Sequence, residues 1–169
     1  AELQRETAWL AKPPPRLTVS QWADRHRRLS PESSAEPGQW ITSRAEYQRG
    51  MLDAVSDPSV ETVVVMSSAQ VGKTEVINNV IGFHIHQDPA PILLVQPTIE
   101  MAETWSKDRL APMLRDTLVL RSLVKDPRSR DSGNTLRQKS FPGGQIAMAG
   151  ANSAASLASR PVRLVLLDE

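Results

Sequence analysis

Hydrophobic residues along this chain fall into short, nearly continuous runs more than alternating stripes, and three such runs predict strands: residues 62–66, four of them β-branched, residues 91–95 and residues 162–167. Runs of this kind suit strands covered on both faces, as in a parallel sheet with helices on either side. Between the first two lies a mostly apolar stretch over 75–86 that predicts a helix. The expected fold class is therefore α/β, with a mostly parallel sheet flanked by helices.

Upstream, Thr18 or Ser20 can cap a short helix carrying Trp22, Ala23 and Leu29, and Ser30-Pro31 opens a polar loop that runs to Gly38. Tyr47, Met51, Leu52 and Val55 recur at helical spacing over 44–55, and Asp57-Pro58 closes that helix. Pro97 ends the second strand. Thr98 then caps a helix bearing Ile99, Ala102, Trp105 and Leu110. Over 134–149 two short candidate strands flank Phe141-Pro142-Gly143-Gly144, a hairpin signal. Lys12-Pro13-Pro14-Pro15 is stiff and extended, so residues 1–37 read as an N-terminal arm and linker, and 38–169 as the domain.

At 169 residues, 40% hydrophobic and 23% charged, the chain can bury a core of its own. Without cysteine it has neither a disulfide scaffold nor a thiolate metal site, and three scattered histidines suggest no metal cluster. No apolar run approaches the roughly 20 residues that span a bilayer, so a soluble protein with no membrane partner is expected. A net charge of +1 excludes binding to nucleic acid by bulk electrostatics. The basic residues nevertheless cluster, with Arg16, Arg25, Arg27 and Arg28 near the start and Arg121, Lys125, Arg128, Arg130, Arg137 and Lys139 in the second half. Both clusters read first as solvated surface, with local nucleic-acid contact as the alternative.

The candidate chemistry concentrates in two places. Ser67-Ser68-Ala69-Gln70-Val71-Gly72-Lys73-Thr74 follows a predicted strand and opens a predicted helix, and it matches the phosphate-loop pattern G-x-x-x-x-G-K-[ST] except at its first position. Backbone N–H groups and the positive helix end converge on phosphate oxygens there, Gly72 lets the backbone approach, Lys73 reaches the outer phosphates and Thr74 offers a hydroxyl to Mg²⁺. The bland alternative is a chance Gly-Lys-Thr at a helix start. The second place is the end of the 162–167 run, which delivers Asp168 and Glu169 where ligands collect in open parallel sheets. Lying beside the 62–66 strand, it would bring Asp168 to Mg²⁺ and let Glu169 polarise the attacking water. Together the two motifs point to a P-loop NTPase that hydrolyses a nucleotide, and no Asn-Lys-x-Asp guanine signature is present.

Three residues are further candidates. Gln48 could read an adenine edge and Tyr47 stack on the ring, or Tyr47 could simply pack on the sheet. Arg160 could serve as an arginine finger on a neighbouring subunit's phosphates, as a loop arginine, or as a DNA-phosphate contact.

The segments 17–24 and 29–38, Tyr47-Gln48, Ser68-Ala69-Gln70-Val71-Gly72-Lys73-Thr74, Ala151-Asn152-Ser153, and Arg160-Pro161 ahead of Leu166-Leu167-Asp168-Glu169 together resemble the large terminase subunit of lambda-like tailed bacteriophages. The resemblance implies an ATP-driven, Mg²⁺-dependent motor that packages double-stranded DNA into a procapsid. It further implies a homo-oligomeric ring when full length, docked on the portal protein, recruited by a small terminase subunit, and working in the host cytoplasm. It also implies a sheet cut short after the Walker B strand, a C-terminal nuclease domain that this sequence lacks, and weak hydrolysis by the chain alone. Ser67 replaces the usual glycine, and Ala158 stands where relatives often have arginine, which leaves Arg160 as the nearest candidate finger. A helicase or translocase core, or an assembly module that binds nucleotide without turning it over, are the other functions compatible with the two motifs.

Overall fold

A computed structural model describes residues 16–124, 134–153, 157–158 and 160–168. The proline-rich arm, Glu169, Lys125, Arg128 and Arg130 lie outside the described residues.

Helix α1 spans Val19–His26 and starts in a capping box, in which the Thr18 hydroxyl accepts from Gln21 N–H and the Gln21 side chain accepts from Thr18 N–H. Thr18, and not Ser20, is the cap. The helix stops before Leu29, because Arg28–Leu29 (β1) turns away to pair antiparallel with Gly38–Gln39 (β2) and closes the polar loop between them. The helix expected over 44–55 is two pieces: a 3₁₀ segment over Thr42–Gln48, interrupted at Ala45, and helix α2 over Arg49–Ser56.

Helix α3, Lys73–His86, is the centre of the molecule. Apolar residues surround it, and nine of its 14 residues are buried, which marks a helix packed on most of its circumference. Helix α1 lies against it so closely that a Cβ at Gly82 would sit 2.2 Å from the Trp22 ring. Only glycine allows that approach. Strand β3 (Ile92–Gln96) follows, then helix α4 (Ile99–Trp105), capped by Thr98 as expected, a π turn (Ser106–Leu110), α5 (Ala111–Asp116) and α6 (Leu118–Arg121).

The main sheet has the order β4-β5-β3-β6, with β4 at Gln138–Phe141, β5 at Gly144–Gly150 and β6 at Leu164–Leu167. Strands β5, β3 and β6 run parallel, and β4 joins β5 through the Pro142-Gly143 turn, so the sheet is mixed and mostly parallel. Ile92 and Leu94 align with Ile146 and Met148 on one side and with Leu164 and Leu166 on the other. These residues share one face and belong to the core formed with α3, α4 and α5. On the opposite face Leu93, Val95, Ala147 and Ala149 form a smaller buried cluster with Val162 packed against it.

Two expectations need correction. Residues 62–66 form no strand: the run crosses the surface unpaired, and β6 lies beside β3 instead. β-Branched composition favours extended backbone, but a strand exists only where an edge pairs with it, and no described strand lies beyond β6. Nor is the sheet covered on both faces throughout, because Val165 and Leu167 of β6 lie open beside buried Leu93 and Val95.

Candidate functional site

Residues 67–72 form an irregular turn that leads straight into α3, with Gln70 at φ 60° and Gly72 at φ 80°. Gly72 is the N-cap, and no side chain caps the helix, so its leading N–H groups have no side-chain acceptor. Glycine is needed twice here. The left-handed backbone disfavours any side chain, and a Cβ would stand 2.6 Å from Gln48 Nε2.

Tyr47 and Gln48 hold this turn from the side. Tyr47 Oη donates to the Val71 carbonyl at 2.8 Å, and Gln48 Nε2 donates to the same oxygen at 3.0 Å. The Tyr47 ring is largely exposed and Gln48 is buried. Both line a small, almost wholly apolar cavity of about 210 Å³, together with Met51, Val65, Val71 and Lys73. Ser67 also borders it, with its Oγ buried and unpartnered.

On the other side of the helix start is a larger cavity of about 870 Å³, into which Thr74, Gln96 and Asp168 converge with Glu100, Trp105 and Arg109. The parallel register sets this meeting. Val95 aligns with Leu167, so Asp168 leaves β6 level with the end of β3, where its N–H donates to the Val95 carbonyl at 3.1 Å. Gln96 Nε2 donates to Asp168 Oδ2 at 2.8 Å. The polar loop between β1 and β2 forms part of the cavity wall through Glu32, held there by a two-bond contact to Arg115, while Arg109 donates to the Ser33 carbonyl. Thr74 and Asp168 offer a hydroxyl and a carboxylate, the hard oxygen ligands that Mg²⁺ takes alongside retained waters, and the cavity has room for those waters.

The sequence-derived candidates thus divide. Thr74 and Asp168 come together on the larger cavity, whereas Lys73 borders the smaller one with Tyr47 and Gln48. Ser68, Ala69 and Gln70 are exposed in the turn and line neither cavity, and Arg160 is exposed and lines neither.

Other residues matter here without having been singled out. Gln96 is buried at the end of the central strand, and the sign of it was a polar residue closing an apolar run ahead of Pro97. Glu75, directly after Thr74, accepts from Arg27 Nη2 at 2.8 Å and from Asn78. Arg27 is 1% exposed, which corrects its placement in a solvated basic cluster; its Nη1 donates to the Arg28 carbonyl, and burial pulls its pKa down against the opposing pull of Glu75. Lys139 is likewise buried, donating to the Thr135 carbonyl at 2.7 Å, and burial lowers its pKa.

Residues 34–169 match the family described as phage terminase large subunit gpA, ATPase domain. The chain is similar to the terminase large subunit of Enterobacteria phage P21, 32% identical over 154 residues, covering 90% of this chain and 24% of that protein. It is also similar to the terminase large subunit of Escherichia phage lambda, 30% identical over 136 residues, covering 80% of this chain and 21% of that protein. The chain therefore spans about a quarter of the length of these relatives. No solved structure matches it.

Proposed function

The chain belongs to the family of phage terminase large-subunit gpA ATPase domains, and from that membership we propose that it binds and hydrolyses ATP to drive double-stranded DNA into a procapsid. The observation that carries the chemical part is the convergence of Thr74, at the start of the uncapped helix, with Asp168 on one cavity. The free N–H groups and positive end of α3 receive phosphate oxygens, and Lys73 neutralises the outer phosphates. The exposed Tyr47 ring offers a stacking surface for adenine, and Gln48 steadies the turn through the Val71 carbonyl.

Mg²⁺, held by Thr74 and by Asp168 through its waters, would neutralise charge on the phosphate oxygens. Glu169 follows Asp168 in sequence and would orient the attacking water. Arg160, exposed and lining neither cavity, is free to reach a second copy of the chain. A ring of copies, double-stranded DNA, a small terminase subunit, a portal protein and a place in the host cytoplasm complete this reading.

The test is DNA-stimulated ATP hydrolysis by the full-length protein with and without Lys73→Ala. Loss of the lysine should lower turnover on the order of 10²-fold, the scale for removing a group that stabilises developing charge. Unchanged hydrolysis removes the proposal. ATP bound and never turned over by the protein extended through the whole ATPase domain would favour an assembly module instead.

A further inference from the structure

We propose that Gln96 is a positioning residue for divalent metal, fixing the Asp168 carboxylate so that one of its oxygens stays free for the cation's water shell. This rests on the reading of Asp168 as the metal-side carboxylate. Gln96 is 4% exposed at the end of β3, a strand with parallel neighbours on both flanks, and is itself paired with Gly150 of β5. Its Nε2 donates to Asp168 Oδ2 at 2.8 Å, and both residues border the same cavity as Thr74.

A carboxylate at the end of an edge strand would otherwise choose among several rotamers. Asp168 stands in that position, directly after β6, an edge strand of the sheet among the described residues. An amide donor from the buried central strand occupies Oδ2 and selects one rotamer, which leaves Oδ1 to accept from a metal-bound water. A neutral donor suits this task. A lysine or arginine at position 96 would compete with the cation for the carboxylate, and a second carboxylate would have to be protonated whenever metal was absent. Groups that orient a metal-binding carboxylate typically carry about 10–100-fold in metal affinity.

The experiment measures Mn²⁺ binding by electron paramagnetic resonance in the presence of ADP, alongside ADP binding in excess EDTA. Gln96→Leu removes the amide at similar volume, and Gln96→Asn keeps an amide that is one methylene too short; the second serves if the first fails to fold. Both should bind Mn²⁺ about 10-fold more weakly than the parent, with ADP affinity in EDTA within about twofold. Equal Mn²⁺ affinity in parent and variants overturns the inference and leaves the proposed function standing. Parallel loss of metal-free ADP binding overturns it too, since that is what a purely structural role produces. A parent that binds no Mn²⁺ with ADP defeats the proposed function and this inference together.

Discussion

Two tryptophans show how differently the same side chain can be held. Trp22 is fully buried, fills the space above Gly82, and donates from Nε1 to His86 Nδ1 at 3.2 Å. Trp105 is 6% exposed at the cavity wall, and its Nε1 is buried with no acceptor. An unpaired buried donor is a standing cost, whereas a paired one leaves an orphaned partner when removed. Trp22→Phe should therefore destabilise by about 2 kcal/mol or more, through lost packing and an unsatisfied imidazole nitrogen. Trp105→Phe should cost no more than about 1 kcal/mol, because the loss of ring volume is offset by removal of the orphan N–H. Urea denaturation of both variants decides it, and a larger loss at Trp105 than at Trp22 contradicts the assignment.

Among the elements, the contact between Arg27 and Glu75 joins the segment after α1 to the first turn of α3, and so to the backbone that presents Lys73 and Thr74. Arg27 is buried and Glu75 half-buried; removing one member of a fully buried pair usually costs about 3–5 kcal/mol because the other charge is stranded, whereas replacing both with apolar groups is far milder. Arg27→Met and Glu75→Leu should each be strongly destabilising, and the double variant should recover most of the loss, a coupling of at least about 1.5 kcal/mol. Additive effects would show that the pair is only incidental contact. This tie was hidden in the sequence, where Arg27 stands among other arginines and burial depends on partners 48 positions away. Helix α3, strand β3, the Pro142-Gly143 hairpin and the Thr98 cap were legible because each is written in a local pattern of apolar spacing, turn residues or capping side chain. Residues 62–66 carried an equally clear local pattern and still formed no strand, since pairing is set by an edge elsewhere in the chain. The sequence tied Asp168 to the 62–66 run, which forms no strand; Asp168 and Thr74 line one cavity because β6 ends level with β3 instead.

For the molecule as a whole, apolar surface stays uncovered in two segments. Val64 and Met66 are 84% and 96% exposed in the unpaired run, and Val165 and Leu167 are 50% and 76% exposed on β6, whose outer edge has no partner among the described residues. Scattered exposed apolar residues are ordinary, but an unpaired apolar run and an open strand edge carrying two exposed apolar side chains supply the two features that promote association, apolar surface and unpaired backbone N–H and C=O groups. The chain should therefore self-associate as its concentration rises, and sedimentation velocity should show a growing fast-sedimenting fraction across the micromolar range. Met66→Lys with Leu167→Lys puts a positive charge on each of these segments and should suppress the association. It should leave stability within about 0.5 kcal/mol, as expected for substitutions at exposed positions. Association that persists undiminished in the double variant would place the contact elsewhere, and a loss of stability well above that figure would mean that these side chains are covered in solution.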